Sequence, residues 1–169
     1  MPSNIEIKAR VSDPEAMLTK TRKLAGADPE IILQTDTFFH AETGRLKVRE
    51  FSDGTGELIS YSRPDAEGPK TSSYGLSPTP NARVLKDVLA AALPLRGVVK
   101  KKRLLFLAGR TRIHLDEVEG LGSFMELEVV LADGDDSKEG EQEAADLMEK
   151  LGIKPEDLVS GAYIDLLEK

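Results

Sequence analysis

Two segments of the chain alternate apolar and charged residues with a period of two. Residues 4–10 read Asn-Ile-Glu-Ile-Lys-Ala-Arg, and residues 124–129 read Phe-Met-Glu-Leu-Glu-Val. A period of two is typical of a β-strand that has one apolar face and one polar face. Each segment therefore predicts a strand whose charged side chains lie together on one side of a sheet.

Carboxylates recur on these two charged faces. Glu6 lies on the first, and Glu126 and Glu128 lie two residues apart on the second. Carboxylates held this close repel each other unless a positive charge lies between them, and a hard divalent cation commonly fills that role. An ordinary solvated strand face would show the same alternation, so these two segments alone leave both interpretations open.

Three further segments, 45–51, 97–107 and 111–116, predict strands that are rich in charge. Their charged residues include Arg45, Lys47, Arg49, Lys100, Lys101, Lys102, Arg103, Arg112, His114 and Asp116. On an open sheet such residues would form a solvated surface. On the inside of a closed sheet they would form a basic pocket with an acidic cluster, which suits a triphosphate chelated to a metal ion.

The hydrophobic pattern predicts eight strands and three main helices. The strands are expected at 4–11, 34–41, 45–52, 56–63, 70–76, 97–107, 110–117 and 123–132. The helices are expected at 13–24, 81–93 and 137–151, with a final short helix after residues 154–157. Turns such as Ala108-Gly109 are short, which favours antiparallel pairing of neighbouring strands.

Composition narrows the class of protein. The 169 residues are enough for one domain with its own core, and they include no cysteine, which excludes disulfides and thiolate metal sites. A net charge of −7 argues against a general nucleic-acid binder, and no apolar run approaches the ~20 residues of a membrane span. We expect a single domain over residues 1–169, in the cytoplasm, with no nucleic-acid or membrane partner.

The motifs resemble those of the CYTH domain, or triphosphate tunnel metalloenzyme, family. The family's opening signature, Glu-x-Glu-x-Lys, corresponds here to Asn4-Ile5-Glu6-Ile7-Lys8. Further matches lie at 34–39, 45–49, 61–64, 101–106, 114–118 and 121–128. The resemblance covers nearly the whole chain and implies an α+β fold, an eight-stranded antiparallel β-barrel (tunnel) with a charged interior and flanking helices.

The resemblance also implies roles for particular residues. Mg²⁺ or Mn²⁺ is expected on Glu6, Glu126, Glu128 and Asn4. The expected catalytic residues are Lys8, Arg49 and Asp116, the last of which would lie near a metal or orient a basic residue. A small-molecule triphosphate substrate would be bound by Lys8, Arg10, Lys47, Arg49, Arg63, Lys70, Lys101, Arg103 and Arg112.

Two positions depart from the family pattern. Asn4 replaces the first signature glutamate; its carbonyl oxygen still suits a hard metal, but one negative charge is lost. Ser62 stands where relatives often have a lysine, so one phosphate contact or proton-handling group is expected to be absent. We expect weaker or altered binding of one metal, with the tunnel preserved.

Alternation along the strands also predicts which side chains lie outside the tunnel. Tyr61, with Ile59, is expected on the outer apolar layer, and Arg63 reaches the tunnel only if the strand breaks near Pro64. Tyr74 and Tyr163 are expected to be packing residues. A lone histidine such as His114 is more often structural than a substrate contact.

Three functions remain open from the sequence. The first is metal-dependent hydrolysis of inorganic triphosphate, thiamine triphosphate or a nucleoside triphosphate. The second is a class IV adenylate cyclase reaction that converts ATP to cyclic AMP and pyrophosphate, although no adenine-binding signature is recognisable. The third is a catalytically weak triphosphate-binding module. Family resemblance also allows a homodimer, but no segment of this chain requires one.

Overall fold

The computed structural model describes residues 2–169, which form an α+β fold of eight strands and four α-helices. The strands are β1 (Ser3–Arg10), β2 (Glu30–Phe39), β3 (Arg45–Phe51), β4 (Gly56–Ser62), β5 (Lys70–Thr79), β6 (Leu95–Ala108), β7 (Thr111–Val118) and β8 (Gly122–Leu131). The helices are α1 (Pro14–Ala25), α2 (Ala82–Ala92), α3 (Ser137–Leu151) and α4 (Tyr163–Leu167), with a 3₁₀ helix at Pro155–Asp157.

The eight strands close into an antiparallel barrel. Their order around the barrel is β1-β5-β4-β3-β2-β6-β7-β8, and β8 pairs again with β1. Glu6 pairs with Glu128 across the β1–β8 junction, so the two alternating segments at opposite ends of the sequence become neighbours. This confirms the fold expected from the sequence.

The largest hydrophobic core lies outside the barrel. Because residues alternate between faces, Ile7, Met125 and Leu127 point outward while the charged residues between them point inward. α1 and α3 cover this outer apolar face over β1, β6, β7 and β8. α2 covers a second apolar patch over β3 and β4. The helices thus bury the apolar side of each strand and leave the interior free for charge.

Local signals explain where the long helices begin and end. The Asp13 side chain accepts a hydrogen bond from Ala16 N at the start of α1, as expected for an N-cap. α3 ends at Gly152 in the left-handed conformation. Within α3, a Cβ on Gly140 would lie 2.9 Å from Ile5, so only glycine lets this helix pack so closely on β1.

The C-terminal segment closes one end of the barrel. α4 packs Tyr163 and Ile164 into an apolar cluster that includes Phe38, Val99 and Phe124. A Cβ on Gly97 would lie 2.6 Å from Ile164, which shows how tightly this end is filled. The barrel cavity is therefore reached from the opposite end.

The strand boundaries differ most from expectation where strands extend beyond the charged interior. β2 begins at Glu30 rather than at residue 34, and β5 continues to Thr79 rather than ending at 76. Both extensions are held by pairing with a neighbouring strand, since Glu30 pairs with Leu105 of β6 and Thr79 with Gly56 of β4. Among residues 2–169, no helix has the length and apolar character needed to span a membrane.

Candidate active site inside the barrel

The inward faces of all eight strands line one cavity of about 260 Å³. Its charged lining residues are Glu6, Lys8, Asp36, Lys47, Arg49, Glu57, Arg63, Lys101, Arg103, Arg112, Glu126 and Glu128, joined by His114. Charges buried in a protein are costly unless they are paired or bind a ligand. The cavity is therefore the candidate functional site.

One side of the cavity, formed by β2, β3 and β6, is basic. Asp36 there accepts from Lys47 Nζ at 3.0 Å, from Arg49 Nε at 2.9 Å and from Lys101 Nζ at 3.2 Å. Burial raises the pKa of Asp36, but the three cations outweigh burial and hold that pKa well below its usual range. One carboxylate thus serves three cations, so the basic side keeps an excess of positive charge. We call Asp36, Lys47, Arg49 and Lys101 the basic cluster.

Arg103 is fixed by a buried network next to the basic cluster. Its guanidinium donates two hydrogen bonds of 2.8 Å to Asp116, and the hydroxyl of Tyr163 donates another, also 2.8 Å long, to Asp116. Arg103 also lies 3.6 Å from Glu126. Burial raises the pKa of Asp116, but Arg103 outweighs this and lowers it overall. Asp116 is therefore hydrogen-bonded to a basic residue of the cavity wall.

The opposite side of the cavity, formed by β1, β7 and β8, is acidic. His114, Glu126 and Glu128 each offer a ligand atom, and these atoms lie within 4.8 Å of one another. Glu6 is adjacent on β1 and accepts a hydrogen bond from Arg63. Burial and then Glu128 raise the pKa of Glu6, even though Arg63 opposes them. We call Glu6, His114, Glu126 and Glu128 the acidic cluster.

A divalent cation fits the acidic cluster. Carboxylate oxygens are the ligands that Mg²⁺ and Mn²⁺ prefer. Burial raises the pKa of Glu6 most, and a cation there would relieve the repulsion from Glu128 that adds to this shift. Asn4, two residues before Glu6 on the same inward face, also lines the cavity. Its Oδ1 is buried and has no hydrogen-bond partner among the described residues. An unpaired buried carbonyl oxygen beside carboxylates is consistent with a ligand role for Asn4.

Two lysines in the cavity have strongly lowered pKa values. Burial lowers the pKa of Lys8 to about 7, with repulsion from Arg63 adding to the effect and Glu126 opposing it. Burial, followed by repulsion from Arg49, lowers the pKa of Lys47 to about 7. Because an anion in the cavity would favour the protonated lysines, the site is matched to a negatively charged ligand.

Most of the residues expected to bind substrate or metal meet in the cavity, but two do not line it. Arg10 is exposed, and its guanidinium carbon lies 5.1 Å from the centroid of the Phe124 ring. Lys70 is buried opposite Glu6 in the β1–β5 register, but it is not among the lining residues. Arg63 does line the cavity, and it donates to Gly161 O at 3.1 Å.

The prediction of which face of β4 points into the barrel was wrong. Ile59 and Tyr61 were expected on the outer apolar layer, yet both line the cavity, and the exposed Ser60 and Ser62 alternate with them. The period of two was correct, but alternation does not say which face is inside. Ile59 pairs in register with Lys47, so the β4 wall sets apolar side chains directly beside charged ones.

Other lining residues were given no role by the sequence. Asp36 organises the basic cluster, and the signals for it were its place between Gln34 and Phe38 on one strand face and its position within the family match at 34–39. Tyr163 does pack, as expected, but its ring also lies 4.1 Å from Lys8 Nζ. Tyr74 lines the cavity instead of only packing, and His114 lines it within the acidic cluster.

Comparison with known proteins identifies this architecture. A family model for the CYTH domain matches residues 3–163. The chain belongs to the CYTH family. CYTH membership agrees with the closed barrel and with the charged interior described above.

Relatives of the chain share both its length and its fold. The adenylate cyclase CyaB of Aeromonas hydrophila is 25% identical over 176 residues, which cover 98% of this chain and 88% of the relative. The PH1012 protein of Pyrococcus horikoshii OT3 superposes with a TM-score of 0.83 at 26% identity, covering 96% of this chain and 98% of that one.

A further solved structure shares this fold. It is a Hippeastrum protein described as revealing a dominant triphosphatase activity, with a TM-score of 0.67, 16% identity, and coverage of 94% of this chain and 91% of that one. At this identity the likeness shows the fold alone. The chain thus has relatives named as adenylate cyclases and structural neighbours named for triphosphatase activity.

Proposed function

We propose that the protein is a divalent-metal-dependent hydrolase of a triphosphate, whether inorganic triphosphate, thiamine triphosphate or a nucleoside triphosphate. The observation that carries this proposal is the division of one cavity into a basic cluster and an acidic cluster. A linear polyanion lying between them would contact cationic side chains on one side and a bound cation on the other. This arrangement matches the charge distribution of a metal-chelated triphosphate.

On this proposal, the basic residues bind the phosphate oxygens. Lys47, Arg49 and Lys101 share a single carboxylate, so each retains donor capacity and charge for a ligand. On our proposal they bind the phosphates together with Lys8, Arg63, Arg103 and Arg112. Asp116 would hold Arg103 in one rotamer, so that its donors are already directed at the phosphate in the transition state.

The acidic cluster would hold Mg²⁺ or Mn²⁺ through Glu6, Glu126 and Glu128, with Asn4 as a neutral oxygen ligand. Such an ion supplies charge neutralisation on the phosphate oxygens and on the leaving group. Lys8 lies 3.9 Å from Glu126 and donates to Gly161 O at 2.9 Å, so it faces both the metal site and the closed end of the barrel. On our proposal, its amine would neutralise a terminal phosphate that lies deepest in the cavity.

A cyclase reaction is the second candidate. The adenylate cyclase CyaB of Aeromonas hydrophila aligns with 98% of this chain, and this similarity favours the cyclase reaction. Cyclisation uses the ribose 3′-hydroxyl to attack the α-phosphorus and release pyrophosphate, whereas hydrolysis uses water. Both reactions place the same demand on the charged walls, so the walls alone do not separate them.

Phosphorus NMR of the purified protein with Mg²⁺ or Mn²⁺ tests the proposal. Separate samples would receive inorganic triphosphate, thiamine triphosphate and ATP. Lys8→Ala is the site variant, and Lys102→Ala is the matched control because Lys102 is exposed on the outer face of β6. We expect metal-dependent release of orthophosphate, retained in the Lys102 variant and reduced in the Lys8 variant.

Two other results would redirect the assignment. Pyrophosphate and cyclic AMP formed from ATP would make the protein a cyclase. Absence of turnover in all samples, combined with metal-dependent triphosphate binding, would make it a binding module. Orthophosphate release that EDTA leaves unchanged would contradict the metal-dependent mechanism.

A further inference from the structure

His114 lies in the acidic cluster with each ring nitrogen close to a carboxylate. It is on the inward face of β7, is 4% exposed, and pairs in register with Glu126 of β8. Its Nδ1 lies 3.7 Å from Glu126 Oε2, and its Nε2 lies 3.4 Å from Glu128 Oε1. The three side chains therefore share one small, largely enclosed volume.

Hydrogen bonding does not account for this imidazole. Both separations are longer than an ordinary N–H···O hydrogen bond of about 2.7–3.2 Å. Nδ1 is buried and has no hydrogen-bond partner among residues 2–169, although buried polar atoms in proteins are nearly always paired. An imidazolium that served only as a counter-charge would donate to the two carboxylates at hydrogen-bond distance. The unpaired nitrogen is instead placed as a metal ligand would be.

The spacing of the three side chains suits a single ion. One ligand atom from each of His114, Glu126 and Glu128 lies within 4.8 Å of the other two. Nitrogen and oxygen ligands about 2.0–2.2 Å from one zinc ion lie about 3–4 Å from each other, so little movement would bring these atoms onto one ion. Three protein ligands would leave a position for a water or phosphate oxygen, as in catalytic zinc sites.

We propose that His114 is a nitrogen ligand in the acidic cluster, so that the cluster takes a borderline transition ion such as Zn²⁺ or Fe²⁺ in preference to Mg²⁺. This inference rests on the proposed function and names the metal class of its site. Carboxylate oxygens alone suit Mg²⁺ and Mn²⁺, whereas imidazole favours ions such as zinc and iron. Mg²⁺ and Mn²⁺ still bind through the carboxylates, but they gain little from the nitrogen.

The composition of the chain makes a nitrogen ligand easy to identify. The chain has no cysteine and two histidines, His40 and His114. His40 is exposed just after the end of β2, so it serves as an internal control. Long-range ¹H–¹⁵N NMR of protein labelled with ¹⁵N-histidine observes the ring nitrogens of both residues during titration with Zn²⁺ or Mg²⁺, without triphosphate. His114→Asn and His40→Asn assign the signals.

We expect one equivalent of Zn²⁺ to shift a ring nitrogen of His114 as direct coordination does, and to leave His40 unshifted. Mg²⁺ should coordinate neither ring. In isothermal titration calorimetry, His114→Asn should weaken Zn²⁺ binding at least about tenfold, since even the loss of an outer-shell partner of a ligand costs that much. Mg²⁺ binding should change much less, because asparagine offers an oxygen. His40→Asn should bind both ions as the parent does.

Three results would contradict these expectations. Zn²⁺ binding without a coordination shift at His114 would overturn this inference alone and leave the carboxylate site intact. That result comes from the parent protein, so it does not depend on the folding of a variant. Equal losses of Zn²⁺ and Mg²⁺ affinity in His114→Asn would also overturn it, since His114 would then only hold the carboxylates in place. Failure of Zn²⁺, Mg²⁺ and Mn²⁺ alike to bind the parent would overturn the metal-dependent function and this inference together.

Discussion

Asp116 accepts two hydrogen bonds from the guanidinium group of Arg103, each 2.8 Å long. The pair is buried, and Tyr163 of the C-terminal helix donates a third hydrogen bond to the same carboxylate. Asp116 therefore connects a phosphate-binding candidate to the segment that closes the barrel.

Asp116→Asn should weaken both activity and folding. Removing one charge of a buried pair leaves the other uncompensated, which costs about 3–5 kcal/mol. We expect the free energy of unfolding in urea to fall by about that amount, and kcat/KM for the triphosphate to fall at least tenfold. Glu117→Gln, the neighbouring exposed carboxylate on β7, is the control. Unchanged stability in Asp116→Asn would contradict the role assigned to the pair.

Glu126→Gln and Glu128→Gln should abolish metal-dependent activity and leave the fold intact. Both positions lie in the acidic cluster, and an amide retains the shape of the carboxylate while removing its charge. We expect a loss of more than about 100-fold in kcat and weaker Mn²⁺ binding by electron paramagnetic resonance. Circular dichroism should be unchanged. Full activity in either variant would remove that residue from the metal site.

Asn4→Glu should tighten metal binding. The buried Oδ1 of Asn4 has no partner in the described structure, and a carboxylate there adds a charged ligand beside Glu6. We expect the Kd for Mn²⁺ to fall about tenfold. Without metal the extra buried charge should lower the melting temperature, so metal should stabilise the variant more than the parent. An unchanged metal titration would place position 4 outside the coordination sphere.

Triphosphate binding should weaken as pH rises through about 7, because that is where Lys47 loses its charge. Below this pH the lysine is protonated and attracts phosphate, and above it the neutral amine does not. Lys47→Arg keeps the charge throughout this range, because arginine stays protonated up to about pH 12. The affinity for inorganic triphosphate, measured by calorimetry between pH 6 and 8.5, should therefore fall less in the variant than in the parent. The two falls should differ by up to about tenfold.

The pH comparison separates the protein from its ligand. Inorganic triphosphate also changes its protonation with pH, but it does so equally for the parent and for Lys47→Arg. A difference in slope therefore belongs to Lys47. Identical slopes for the two proteins would show that Lys47 keeps its proton throughout, contrary to the lowered pKa.

Much of the site was predictable because strand alternation and the family motifs point to the same residues. Glu126 and Glu128 lie two residues apart, so they had to share a face, and Lys101 with Arg103 did the same on β6. The structure brings these residues into one cavity. Arg10 follows the same alternation as Lys8, yet it is exposed, because β1 ends there and the barrel wall no longer encloses it.

The sequence by itself determined which residues share a strand face, since that depends only on the period of two. It could not determine which face of β4 lies inside, because Ile59 and Tyr61 are apolar and both the interior and the outer surface of this barrel accept apolar side chains. The role of Asp36 could not be determined from the sequence either, because it depends on three cations that come from two other strands. Only barrel closure decided these points, because it converts separate strand faces into one enclosed wall and brings Lys47, Arg49 and Lys101 onto one carboxylate.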